Sequence, residues 1–180
     1  MKTCERPVNM RRKQMEKLEQ VLRSWEKGLA RFGECVVQFQ RIEEALCICI
    51  AAMIGRSRKV GEIVATEMSF RARVATFGAL FMHSLRAQKL PEDVVKIVQR
   101  LHWAEQERNK LVHSLWDASE SEPKSICRSK QAIRKGGLIR TEEHYTPDDL
   151  DDLNRLFEGI VTDLFYLTSE HLPKLKKKLH

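Results

Sequence analysis

The sequence predicts an all-α protein: a five-helix bundle with one small β-hairpin set before the last helix. Three observations carry that prediction. Apolar residues recur at steps of three and four through most of the chain, which is the period of a helix buried along one face. Pro91, Pro123 and Pro147 punctuate the periodic stretches. Only the segment 123–146 changes character, to β-compatible runs on either side of Gly136-Gly137.

Taken in order, a first helix is expected from about Asn9 to Arg31, with Met15, Leu18, Leu22, Trp25 and Leu29 on one face. A second follows from about Glu34 to Gly55, carrying Phe39, Ile42, Leu46, Ile50 and Met53. Its stretch Ala45–Ile54 is apolar all round, as befits the most buried helix. After the basic break Arg56–Lys59, a short turn leads to a third helix striped by Phe70, Val74, Phe77 and Phe81. Pro91-Glu92-Asp93 opens a fourth, with proline and acids in the first turn, expected to run to about Ser119. The hairpin insertion spans about 123–146. Thr146 then caps a fifth helix with Pro147 in its first position and Asp148, Asp149, Asp151 and Asp152 near its positive end. That helix is expected to bury Leu150, Leu153, Leu156, Phe157, Ile160, Leu164 and Leu167.

With 180 residues the chain has the length of one domain, 1–180, ending in a basic tail, 171–180. Its net charge is +7 with 32% charged residues, too mixed for a disordered chain. The longest apolar run, Ala45–Ile54, is about half a membrane span, and charges interrupt every N-terminal stretch that could form a leader core. A cytoplasmic protein with no membrane association is expected. The five cysteines include no Cys-x-x-Cys knuckle, and two of them, Cys47 and Cys49, sit in the most apolar segment. That is how a reducing compartment uses cysteine, as a small hydrophobe. The Asp cluster at the last helix start is explained by capping, so neither metal nor cofactor is expected. No Gly-rich phosphate loop, nucleophile elbow or dinucleotide fingerprint is present.

The charge is unevenly placed. Lys124, Arg128, Lys130, Arg134, Lys135 and Arg140 follow one another with no acid between them. Such a stretch attracts phosphates and steers polyanions; it also fits a solvated hairpin whose lysines keep its edges from pairing.

The fourth helix breaks its own pattern. At about 100° per residue, Val94, Ile97, Val98, Leu101, Val112 and Leu115 form one stripe, and Arg108 falls in its middle. A guanidinium there must be paired, hydrogen-bonded or facing a wet crevice. Glu105, Glu43 and Glu44 are the partners a structural role would use. The adjoining face carries His102, Asn109, His113 and Trp116. One turn separates Asn109 from His113, which lets the amide orient the imidazole.

The pattern R-N-x-x-x-H, within Glu107–Trp116, resembles the HEPN superfamily of all-α domains, defined by an R-x4-6-H motif with a polar residue after the arginine. Glu43-Glu44 on an earlier apolar helix and Ser69-Phe70 at the third helix start fit that likeness. The resemblance implies a metal-independent endoribonuclease with catalytic residues Arg108, Asn109 and His113. It would act as a homodimer on RNA, with the hairpin cations as nucleic-acid contacts. It further implies a toxin–antitoxin or phage-defence setting, with a nucleotidyltransferase-like antitoxin as partner. A non-catalytic HEPN module for dimerisation or nucleotide or RNA binding is the alternative. For the dimer, the polar and aromatic face Asn109–His113–Trp116 is expected beside the twofold axis.

Overall fold

The computed structural model describes residues 6–54, 58–86 and 88–178. The described elements are α1 (Arg6–Ile54), α2 (Arg58–Thr66), α3 (Phe70–Leu85), α4 (Glu92–Val112), β1 (Leu115–Ala118), β2 (Ile126–Arg134), β3 (Gly137–Tyr145) and α5 (Pro147–Lys178). The architecture is mostly helical, and the helices number five among the described residues. The strands form one antiparallel sheet in the order β1-β2-β3.

Three expectations need correction. The first and second helices are one 49-residue helix, α1. Gly33 lies inside it, where an added Cβ would meet nothing within 4 Å, and the helix continues through the expected break. The stretch after the basic break contains a helix of its own, α2. The fourth helix stops at Val112, and the residues expected to finish it form β1, which makes the hairpin a three-stranded sheet. Side chains of the sheet take the carbonyls at the end of α4. Arg128 Nε donates to Lys110 O (3.0 Å), and Trp116 Nε1 donates to Leu111 O (2.8 Å). Orphan carbonyls of a last turn need such partners.

The chain forms two compact units. One comprises residues up to Cys35 together with Lys110–Asn154; the other comprises Val36–Asn109 together with residues from Arg155 onward. In the first, α1 turns Val21, Ser24 and Gly28 inward. Gly28 is required there, since a Cβ would stand 2.6 Å from Ile126 Cγ2. Trp116 lies between Phe32 and Tyr145, with ring centroids 5.5 Å away on each side. The start of α5 is closed by a reciprocal cap: Asp149 N donates to Thr146 Oγ1 (3.2 Å), and Thr146 N donates to Asp149 Oδ2 (2.8 Å).

The second unit holds the larger apolar core. Ile42, Leu46, Ile50, Val74, Phe77, Phe81, Leu101, Phe157, Ile160 and Leu164 are all fully buried. Each such burial contributes roughly 1.5–3 kcal/mol before entropy is counted. The expected stripes of α3 and of the second half of α1 are therefore found as written. On α5, Leu156 departs from expectation and is exposed. On α4, Ala104 and Leu111 are buried, whereas Val112 and Leu115 are exposed. The stripe fails there because the helix has ended. Among the described residues no helix is long and apolar enough to cross a membrane.

Candidate functional site

The motif residues are placed by the last turns of α4. Arg108 is half-buried in the second unit, and its guanidinium carbon lies 5.5 Å from the centroid of the Phe39 ring. Arg108 Nη1 donates to Asn109 Oδ1 at 3.1 Å. The carboxylates that a structural arginine would use are engaged elsewhere or apart. Glu105 binds Arg71 (3.1 Å) and Glu43 binds Arg73 (3.6 Å). Glu44 makes no ion pair with Arg108. Among the described residues, Arg108 has no ion-pair partner at all.

Within the first unit, His113 sits one residue beyond the end of α4 and is exposed. Among the described residues nothing hydrogen-bonds its ring. The Asn109 oxygen, expected to orient His113, accepts from Arg108 within the second unit. Trp116 is on β1, packed and hydrogen-bonded. The continuous helical face from His102 to Trp116 on which the dimer expectation rested is therefore interrupted after Val112.

The hairpin cations separate into different kinds. Lys124, Lys130, Lys135 and Arg140 are exposed. Arg140 Nε pairs with Glu142 at 2.9 Å. Arg128 is 6% exposed and fully engaged: Nε donates to Lys110 O and to Ser114 Oγ (2.9 Å), and Nη1 to Glu143 Oε2 (2.7 Å). It ties strand β2 to the end of α4. The side chain of Arg134 lies outside the description. Beyond residue 129 the β2–β3 ribbon continues without β1, and Ile133 and Leu138 pair across it near the tip, both exposed.

Sequence reasoning gave no sign of a groove of about 650 Å³ in the first unit, between α1 and one face of the sheet. Its polar wall includes Ser119, Ser121, Cys127 and His144. His144 Nδ1 lies 3.1 Å from Ser119 Oγ and 3.4 Å from Ser125 Oγ. Ser119 Oγ also accepts from Glu122 N at 3.0 Å, so these hydroxyls shape the 119–125 turn. Only the antiparallel register, which sets His144 opposite Cys127, brings these residues together. Burial pushes the Cys35 thiol up to about 12 and the Cys49 thiol up to about 11, which disfavours the reactive thiolate at both.

The chain matches no family model, no curated protein and no solved structure. The HEPN likeness therefore stands on the motif residues and on nothing outside the chain.

Proposed function

We propose that the protein is a metal-independent endoribonuclease of HEPN type that uses the 2′-OH of RNA as its nucleophile. The observation that supports this most is Arg108: a half-buried cation, steadied by Phe39 and Asn109, with no carboxylate to neutralise it among the described residues. Such a group is suited to an incoming anion. A proton leaves the 2′-OH, its oxygen attacks the adjacent phosphorus, and the bond to the 5′-oxygen breaks. The leaving oxygen takes a proton, giving a 2′,3′-cyclic phosphate and a 5′-hydroxyl. Arg108 stabilises the charge on the phosphorane oxygens. His113 transfers protons, as an imidazole can both accept one and donate one. Asn109 positions Arg108. Two copies of the chain supply the second proton-transfer group, since one motif carries a single histidine. The exposed cations Lys124, Lys130, Lys135 and Arg140 guide the strand.

The test is incubation of the purified chain with varied RNAs in EDTA. Cleavage leaving cyclic phosphate ends, lost in His113→Ala and in Arg108→Ala, is expected. Absence of cleavage, or equal cleavage by His113→Ala, overturns the reading. A second reading, a non-catalytic module that binds RNA or nucleotides, is favoured by the exposed His113 ring, which has no orienting bond among the described residues. It predicts RNA binding that weakens in Arg108→Ala without any product.

A further inference from the structure

We infer that the first half of α1 is a self-association surface, on which two copies of this chain pair as an antiparallel, two-stranded coiled coil. Met15, Leu18, Leu22, Trp25 and Leu29 follow one another at steps of three, four, three and four. That is the seam of a heptad repeat, with Met15, Leu22 and Leu29 in one core position and Leu18 and Trp25 in the other. The helix buries a neighbouring line in its own unit, through Val21, Ser24 and Gly28, and Leu18 and Leu22 edge the groove against the sheet. Most of the seam is left open: Met15 is 59%, Leu18 53%, Leu22 50% and Leu29 41% exposed, with Trp25 half-buried. Scattered apolar residues on a surface need no explanation, but four in heptad register along one helix face do.

Charge selects the occupant and its direction. On the exposed flank of the seam stand Arg12, Glu19 and Glu26, spaced by one heptad each. Arg12 pairs within its own helix with Glu16 (3.0 Å) and Glu19 with Arg23 (3.9 Å), exposed contacts weak enough to exchange for a partner across the seam. When Leu18 of one copy packs against Leu22 of a second copy running oppositely, Met15 meets Trp25 and the stem of Arg11 covers Leu29. Arg12 then faces Glu26 of the other copy, twice by symmetry, and Glu19 meets its own counterpart near the axis. Two attractions outweigh one repulsion. A parallel pair would instead set Arg11, Arg12 and Lys13 of both copies side by side, which disfavours it. A helix that complements itself in both seam and charge is suited to its own copy, in an isologous contact.

The surface contains none of Arg108, Asn109 or His113. It shares with the nuclease reading only the need for two copies, and its test reads mass where that reading's test reads cleavage, so loss of pairing in the seam variants and loss of cleavage in the motif variants are told apart. Sedimentation equilibrium of the full chain at tens of micromolar is expected to give twice the 21.0 kDa chain mass. The double variant Leu18→Asp, Leu22→Asp is expected to sediment as a single chain with unchanged helical circular dichroism. Arg12→Glu, far from any buried contact, is expected to weaken the dimer roughly tenfold, and Arg12→Glu with Glu26→Arg to restore it. A monomeric parent chain, or a dimer that the Leu18 and Leu22 changes leave intact, overturns the surface. Failure of the double charge swap to restore pairing overturns the antiparallel arrangement, and that pair of variants decides the matter if the aspartates unfold the chain.

Discussion

The guanidinium of Arg108 rests against the face of Phe39, 5.5 Å from its centroid, and gives one hydrogen bond to Asn109. Both contacts are weak ones. A cation over an aromatic face is worth about 0.5–1 kcal/mol at a partly exposed site. Removing Arg108 strands no buried carboxylate, because Glu43 and Glu105 are held by Arg73 and Arg71. Arg108→Ala is therefore expected to lower unfolding stability by only about 1 kcal/mol in a urea titration. Breaking a buried ion pair costs about 3–5 kcal/mol, and a loss of that size would make Arg108 a structural strut.

Arg128 is the contrasting arginine. It is 6% exposed and serves Lys110 O, Ser114 Oγ and Glu143 at once. Its removal takes one of the donors from the end of α4, leaves a void where a buried side chain stood, and leaves Glu143 without its cation. Arg128→Ala is expected to cost about 3 kcal/mol by the same titration. A change within about 0.5 kcal/mol would mean that the strand and helix end do not depend on it.

These two arginines show what a sequence holds and what it hides. The fifth helix start was legible because Thr146, Pro147 and Asp149 act within one turn of each other. The hairpin was legible because Gly136-Gly137 marks its turn locally. The end of α4 was not, since Arg128, fourteen residues after Ser114, and Trp116 supply its caps. Leu115 and Trp116 continue the helical period, and only the pairing of β1 with β2 removes them from it. The residue types of the motif were legible on α4; the partner of Asn109 was not, because Arg108 and His113 both lie within its reach along the chain.

The exposed lysines of the ribbon act, in the nuclease reading, through charge alone. Lys130→Ala with Lys135→Ala is expected to leave stability unchanged within about 0.5 kcal/mol. Each phosphate contact to single-stranded RNA contributes about 0.7 to the slope of log affinity against log salt. The double variant should therefore flatten that slope by about 1.4. An unchanged slope in a fluorescence binding titration would remove the ribbon from the RNA path.

Two glycines test the helices in opposite directions. A Cβ on Gly33 meets nothing within 4 Å inside continuous α1. Gly33→Ala is accordingly expected to stabilise by about 0.5–1 kcal/mol. At Gly61 on α2, a Cβ would stand 2.5 Å from Ala51 Cα, which is backbone and cannot swing away. Gly61→Ala is expected to destabilise by about 1–2 kcal/mol despite its better helix propensity. Thermal unfolding of both variants settles the signs, and destabilisation by Gly33→Ala would contradict an unbroken α1.

The Arg128–Glu143 pair also sets a pH dependence. Burial pushes the Glu143 carboxyl up, but hydrogen bonds from Tyr145 and Arg128 and the charge of Arg128 outweigh it and hold the group below its ordinary value. In the unfolded chain the same carboxyl returns to about 4.3. The unfolded state thus takes up the proton first as pH falls. The stabilisation is complete above the unfolded value and disappears as pH drops through the lower folded one. Glu143→Gln keeps an acceptor for Tyr145 but removes the charge. Its Tm should lie below that of the parent chain near pH 7, and the gap should close between about pH 5 and pH 3. A gap that stays constant over that range would show that the charge of Glu143 does not contribute to holding strand β3 to Arg128.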